Sequence, residues 1–104
     1  MNHMEYRVSL LTRAINARLV IGIDYDPGWR EIEPYALGYS SDSEMLLRAF
    51  QRAGASSSNE NTDWKLFRVD RIRVAEPEGG TFGTPRQGYV RGDRAMRGGI
   101  IAQL

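Results

Sequence analysis

No cysteine occurs in these 104 residues, so neither a disulfide nor a thiolate metal site can form. A single histidine, His3, stands near the N-terminus, which removes most imidazole-based catalysis and zinc binding. Lysine is nearly missing too: Lys65 is alone among 14 cationic side chains, and the other 13 are arginine. There is no run of about 18 apolar residues of the kind that crosses a bilayer, and the first residues lack the basic-then-apolar layout of a signal peptide. A cytoplasmic protein with no membrane partner is expected. HExxH is absent, and the Gly79–Pro85 stretch is too loose to be a phosphate-cradling loop. The chain is therefore expected to be no enzyme and to need no cofactor or metal.

Charge of one sign is also in short supply. The net charge is +1, because 13 acidic residues nearly balance the cations, so bulk attraction to nucleic acid is excluded and the placement of charge matters more than its sum. Arginine offers a planar fork of donors that suits carboxylate and phosphate alike. A hydrophobic content of 41% and 104 residues suit one small folded unit with a single modest core.

Val8, Leu11, Ala14 and Ile15 recur at helical spacing, with Arg7, Arg13 and Asn16 on other faces, and predict an amphipathic helix over residues 6–18 that lies on a sheet. Residues 19–26 are apolar and β-branched and stop at Asp26-Pro27-Gly28, which predicts a hairpin into the strand from Trp29. Pro34, without an N–H, should end regular pairing there or mark an edge or a bend. Residues 44–51 have helical propensity but lie between turn-rich segments, so they are assigned as a strand that pairs across the polar 54–63 loop with Trp64-Lys65-Leu66-Phe67-Arg68-Val69-Asp70-Arg71-Ile72. The stretch from Arg71 completes or follows the last strand of a curled sheet. Residues 78–104 hold seven glycines and four arginines and predict a mobile or loosely docked extension, within which QGYV and GGIIAQL could pair as short strands. The domain division expected is thus 1–77 and 78–104.

Alternation in the Trp64–Ile72 stretch would aim Lys65, Phe67, Val69 and Arg71 one way and Trp64, Leu66, Arg68, Asp70 and Ile72 the other. Neither face is purely polar. Arg68 and Asp70 beside Leu66 and Ile72 suggest a partly buried ion pair, in which Asp70 is structural, or charged groups lining a pocket. Trp29 and Trp64 are expected to close the core.

The order Arg30-Glu31-Ile32-Glu33-Pro34, then Leu47-Arg48-Ala49-Phe50, then Phe67-Arg68-Val69-Asp70-Arg71-Ile72, after a short helix and a strand ending in Tyr25, resembles the WYL domain over residues 7 to 76. The tripeptide of that name departs here: Met45 and Leu46 replace Trp and Tyr, and Leu47 alone matches. The resemblance implies a mainly β fold with one N-terminal helix, a small Sm-like or SH3-like antiparallel barrel. It also implies a ligand-sensing or nucleic-acid-binding module of bacteria and phages, often attached to a DNA-reading helix-turn-helix in transcriptional regulators. Such a module would hold an anionic ligand, a nucleotide or single-stranded nucleic acid, on a basic patch. The matching positions are Tyr25, Arg30, Arg68 and Arg71, around Asp70, with Lys65 beside them. No helix-turn-helix pattern stands in the chain, so a stand-alone module acting in trans is expected. The second function class is a protein-interaction or oligomerisation module that regulates a partner through the free strand edges of an open barrel.

Overall fold

A computed structural model describes residues 2–104. The first helix, α1, runs His3–Ala17. Asn2 caps it by accepting the Glu5 N–H at 2.8 Å, and Arg18, in the left-handed region at φ 55°, ends it. Its inner face buries Leu10, Leu11, Ala14 and Ile15 against the sheet, as the apolar spacing predicts. Arg7, expected on a polar face, is buried as well.

Six strands follow: β1 (Leu19–Tyr25), β2 (Gly28–Tyr39), β3 (Met45–Gly54), β4 (Asp63–Arg68), β5 (Val74–Thr81) and β6 (Gly99–Gln103). All pairings are antiparallel in the order β4-β3-β2-β1-β5, and β6 joins β2 at Ala36–Tyr39, beyond the stretch of β2 that pairs with β1. The fold is mainly β, strongly curved and barrel-like, but β4 and β5 do not meet, so the sheet is not closed. The β1–β2 hairpin turns at a cis Asp26–Pro27 bond, where turn chemistry places it. Residues 45–54 are a strand, and the long polar loop returns the chain to pair as expected, with Leu47 opposite Phe67. Pro34 lies where regular pairing is interrupted, as its missing N–H predicts: β2 pairs with β1 up to Ile32 and with β6 from Ala36, and its register with β3 shifts between Pro34 and Ala36.

Two expectations need correction. Strand geometry lasts only to Arg68; Val69–Arg71 is a 3-10 turn, so alternation does not carry past that point. Residues 78–104 are built into the sheet: β5 extends to Thr81 across the expected boundary, and β6 pairs with β2. QGYV forms no strand. Side chains of this segment complete the interior, because Phe82 and Tyr89 pack on Tyr35 while Met96 packs with Ala36 and Leu46. The segment's apolar residues are few but each fills a gap, and a fully buried Phe or Met contributes about 1.5–3 kcal/mol.

The main core holds Leu11, Ile15, Ile21, Ile23, Ile32, Leu37, Leu47, Phe67 and Val69 between α1 and the sheet. Trp64 joins the Tyr35 cluster as expected, whereas Trp29 is 42% exposed and lies across Gly22, donating its indole N–H to Glu78 at 3.0 Å. A Cβ at Gly22 would collide with that indole, so only glycine lets the ring cross β1. Among the described residues no helix is long and apolar enough to cross a membrane.

Candidate ligand-binding site

Tyr25 ends β1, and Arg30 faces it from the other arm of the hairpin, the register pairing Ile23 with Arg30. Arg30 is only 3% exposed, yet its guanidinium meets no carboxylate. Its Nε donates to the Tyr25 carbonyl at 3.1 Å, Nη2 donates to the Asp26 carbonyl, and Nη1 donates to Gln51 Oε1 at 3.4 Å. The same group lies over the rings of Tyr25 and Phe67, with centroids 5.1 and 5.5 Å away. Burial pushes its pKa below the usual arginine value, against the opposing pull of Tyr25 and Asp26. An arginine remains a cation there, so a buried positive charge stands under the hairpin turn.

Two more cations line this spot, and among the described residues neither has a carboxylate within 4.0 Å, although the charge of Lys65 is felt by Asp63. Lys65 of β4 donates from Nζ to the hydroxyls of Ser56 and Ser58 at 3.1 and 3.2 Å, both neutral partners. Arg71, in the 3-10 turn, is exposed and has no carboxylate within 4.0 Å among the described residues. Tyr25, Arg30, Lys65, Phe67, Asp70 and Arg71 line one open cavity of about 710 Å3, together with Pro27 and Arg73 on its rim. Four cationic side chains there face two carboxylates, Asp26 and Asp70. Both carboxylates are already engaged, Asp26 by Arg73 at 3.0 Å and Asp70 by Arg68 at 3.0 Å. The hollow is therefore positive, with an aromatic ring at its wall, and suits an anion that carries a flat group.

Arg68 stands apart from the other expected residues. Its side chain does not line the cavity but lies between Glu44, 3.0 Å from Nε, and Asp70, to which Nη2 donates. The bond to Asp70 raises its pKa, burial opposes this, and the charges of Asp70 and Glu44 add to the rise. Asp70, for which a structural ion pair is expected, is paired with Arg68 in this way, and with 36% and 56% of the two side chains exposed the pair is well solvated. Of the residues singled out in the sequence, Tyr25, Arg30, Lys65, Asp70 and Arg71 thus gather at one place, and only Arg68 turns away.

The rim depends on residues that sequence patterning does not mark. Arg7 of α1 donates to the carbonyl of Ile72 and, at 3.3 Å, to that of Arg73, and lies 3.0 Å from His3 Nε2, so a buried guanidinium holds the elbow that follows Arg71. Arg73 in turn forks both carboxylate oxygens of Asp24 at 3.1 and 2.9 Å. Asp24 and Arg73 are 49 residues apart, and only the β1–β5 pairing brings them together.

A second polar cluster lies on the other half of the sheet. Glu33, 3% exposed, is forked by Arg86 at 3.1 Å from both Nε and Nη2, receives the Tyr35 hydroxyl at 3.2 Å, and has Arg52 at 3.7 Å. Arg86 also stacks on Phe50 at 4.2 Å. Glu33 is thereby taken by the C-terminal segment rather than by Arg30.

No protein-family model matches the sequence, and no curated protein matches it. Among solved structures, the chain is similar to proteasome accessory factor B/C (PafBC) of Arthrobacter aurescens, with a TM-score of 0.63 and 19% identity. The superposed part is 82% of this chain but 13% of that one. This likeness is one of fold and supports a WYL-like architecture at that level.

Proposed function

We propose that this chain is a regulatory ligand-binding module that holds an anionic ligand, a nucleotide or single-stranded nucleic acid, in the hollow between the Asp26–Pro27 turn and the 3-10 turn. One observation carries this reading: Arg30, Lys65 and Arg71, from three separate elements, line a single cavity, and none of them has a carboxylate within 4.0 Å among the described residues. Arg71 is free to fork a phosphate, Lys65 can leave its serines for a stronger acceptor, and Arg30 supplies a fixed buried charge beneath. Tyr25, half-buried at the wall, is the aromatic side chain a base could meet there. The fold's likeness to a segment of a protein described as an accessory factor favours a module that tunes another protein's activity.

Filter binding of nucleotides and short single strands at two salt concentrations tests this. Affinity should fall with salt at about −0.7 log unit per log unit for each phosphate engaged, and Arg71→Ala should weaken binding several-fold without loss of stability. Absence of binding to every nucleotide and oligonucleotide at low salt would overturn it.

A second reading, self-association, is favoured by β6. Gly99–Gln103 has an unpaired outer edge, carries no charge and no proline, and exposes Ile100 and Ile101 at 37% and 38%. Light scattering across a concentration series separates the two readings, because a monomer throughout would remove this one.

A further inference from the structure

A second cavity, of about 560 Å3, shares no lining residue with the first. Trp64, Tyr89, Val90 and Arg94 line it, with Arg48 and Asp93 at its floor. The rings of Trp64 and Tyr89 lie 23° from parallel in a stacked arrangement, with centroids 6.3 Å apart, and both line the cavity as its aromatic shelf. Both rings are half-buried, and each is held by its polar end: the Trp64 indole donates to the Gln87 carbonyl at 3.0 Å, and the Tyr89 hydroxyl donates to the Leu104 carbonyl at 2.8 Å. The loop can lie this close to the indole because residue 88 is glycine at φ 97°, where a Cβ would come within 3.0 Å of Trp64 Nε1. Val90 next to the shelf is 69% exposed, the most exposed of the large apolar side chains. Arg48 and Asp93 neutralise each other through a bidentate pair at 2.7 and 3.3 Å, whereas Arg94 is exposed and has no carboxylate within 4.0 Å among the described residues.

The two cavities meet across a single edge strand. Leu66, 40% exposed, lines the arginine hollow, and its direct cross-strand partner in β3 is Arg48, which lines the shelf. Trp64 and Leu66 are two residues apart on β4, about 6.8 Å, so a chain crossing Leu66 passes from the Lys65 side to the indole within one step of the strand. We infer that the Trp64–Tyr89 shelf with Arg94 is a second subsite, for a flat ring and its neighbouring phosphate, and that the ligand is a single-stranded nucleic acid several nucleotides long rather than a lone nucleotide. This rests on the reading of the hollow as an anion site. A base stacks on the exposed aromatic surface, Leu66 carries the sugar edge, and Arg94 takes a phosphate beyond it. Base stacking tolerates any sequence, so the discrimination is by length.

The test uses the full chain with oligothymidylates of increasing length, from thymidine monophosphate upward. Affinity should rise by about tenfold or more with length before reaching a plateau, as expected when one base stacks. Arg94→Glu should cancel most of that rise and reduce the salt slope for the longer strands by about 0.7, while thymidine monophosphate binds as before. In Trp29→Phe, where Trp64 is the one remaining indole, fluorescence should be quenched by the longer strands and unchanged by the mononucleotide. Affinity independent of length, or an Arg94→Glu effect equal for mononucleotide and oligonucleotide, would overturn the second subsite and leave the hollow standing. Binding of neither would overturn both.

Discussion

The hydroxyl of Tyr25 accepts the backbone N–H of Arg68 at 3.2 Å and so ties the end of β1 to the residue at which β4 gives way to the 3-10 turn. The ring of the same tyrosine meets Phe67 edge-on at 4.9 Å and lies under the Arg30 guanidinium. Tyr25 is thus both wall and brace of the hollow. Tyr25→Phe keeps the ring and loses one hydrogen bond, and urea denaturation should show a loss of about 0.5–1.5 kcal/mol. Tyr25→Leu removes the ring as well and should cost about 0.5–1 kcal/mol more through the lost cation–π contact.

Arg30 and Arg71 line the same cavity but answer to different measurements. Arg30→Ala would strip donors from the Tyr25 and Asp26 carbonyls and from Gln51, and the expected loss is about 1–3 kcal/mol in a chemical melt. Arg71→Ala breaks no bond within the chain and should leave stability within about 0.5 kcal/mol of the parent. Equal destabilisation by both would mean that Arg71 has a partner inside the fold and is no ligand residue.

The hairpin, the long-loop pairing of β3 with β4 and the helix were legible because each rests on local pattern: Asp26-Pro27-Gly28 turns, apolar alternation, and the Val8, Leu11 and Ile15 spacing. Tyr25, Arg30, Arg68 and Arg71 rest on other grounds, as the positions that match the WYL resemblance, with Lys65 beside them. The rest of the site is set by long-range meetings that no local window contains. Arg7 reads as one more polar helix position, yet it reaches carbonyls 65 and 66 residues on. Alternation sets Asp70 opposite Arg71, but strand geometry ends at Arg68, and in the 3-10 turn that follows Asp70 and Arg71 line the same cavity while Arg68 does not. Glycine-rich composition made residues 78–104 look loose, because a few well-placed side chains such as Phe82, Tyr89 and Met96 weigh little in composition and much in packing.

Asp93 gives a pH-dependent test. The hydrogen bond from Arg48 lowers its pKa, burial opposes this, and the Ala95 N–H and the charge of Arg48 add to the lowering. A carboxyl depressed in the folded state contributes stability above its unfolded pKa, near 3.9, and that contribution fades as pH falls through the folded value. Asp93→Asn should therefore be less stable than the parent at pH 7, and the difference should narrow steadily below about pH 4 in parallel melts. A difference that stays constant from pH 7 to pH 3 would show that charge is not what Asp93 supplies.

The C-terminal segment allows the sharpest test of how the fold is held. Removal of residues 82–104 would take away β6 and leave Ala36–Tyr39 of β2 paired on one side only, with β3. It would also uncover Tyr35, now 0% exposed between Phe82 and Tyr89, and strip Arg86 from the buried carboxylate of Glu33. Arg52 remains 3.7 Å from Glu33 but makes a single long contact there and is shared with Glu31 at 3.4 Å, so it does not replace a bidentate fork. Breaking a buried pair from one side typically costs about 3–5 kcal/mol, somewhat less here because Arg86 is 43% exposed. Added to the lost apolar burial, that approaches the whole stability of a small domain, about 5–15 kcal/mol. The shortened chain should show no cooperative thermal transition by circular dichroism, while Arg86→Ala in the full chain should fold with a lower midpoint. A cooperative transition in the shortened chain would mean that residues 82–104 are an appendage after all, and the aromatic shelf would then lie outside the folded core.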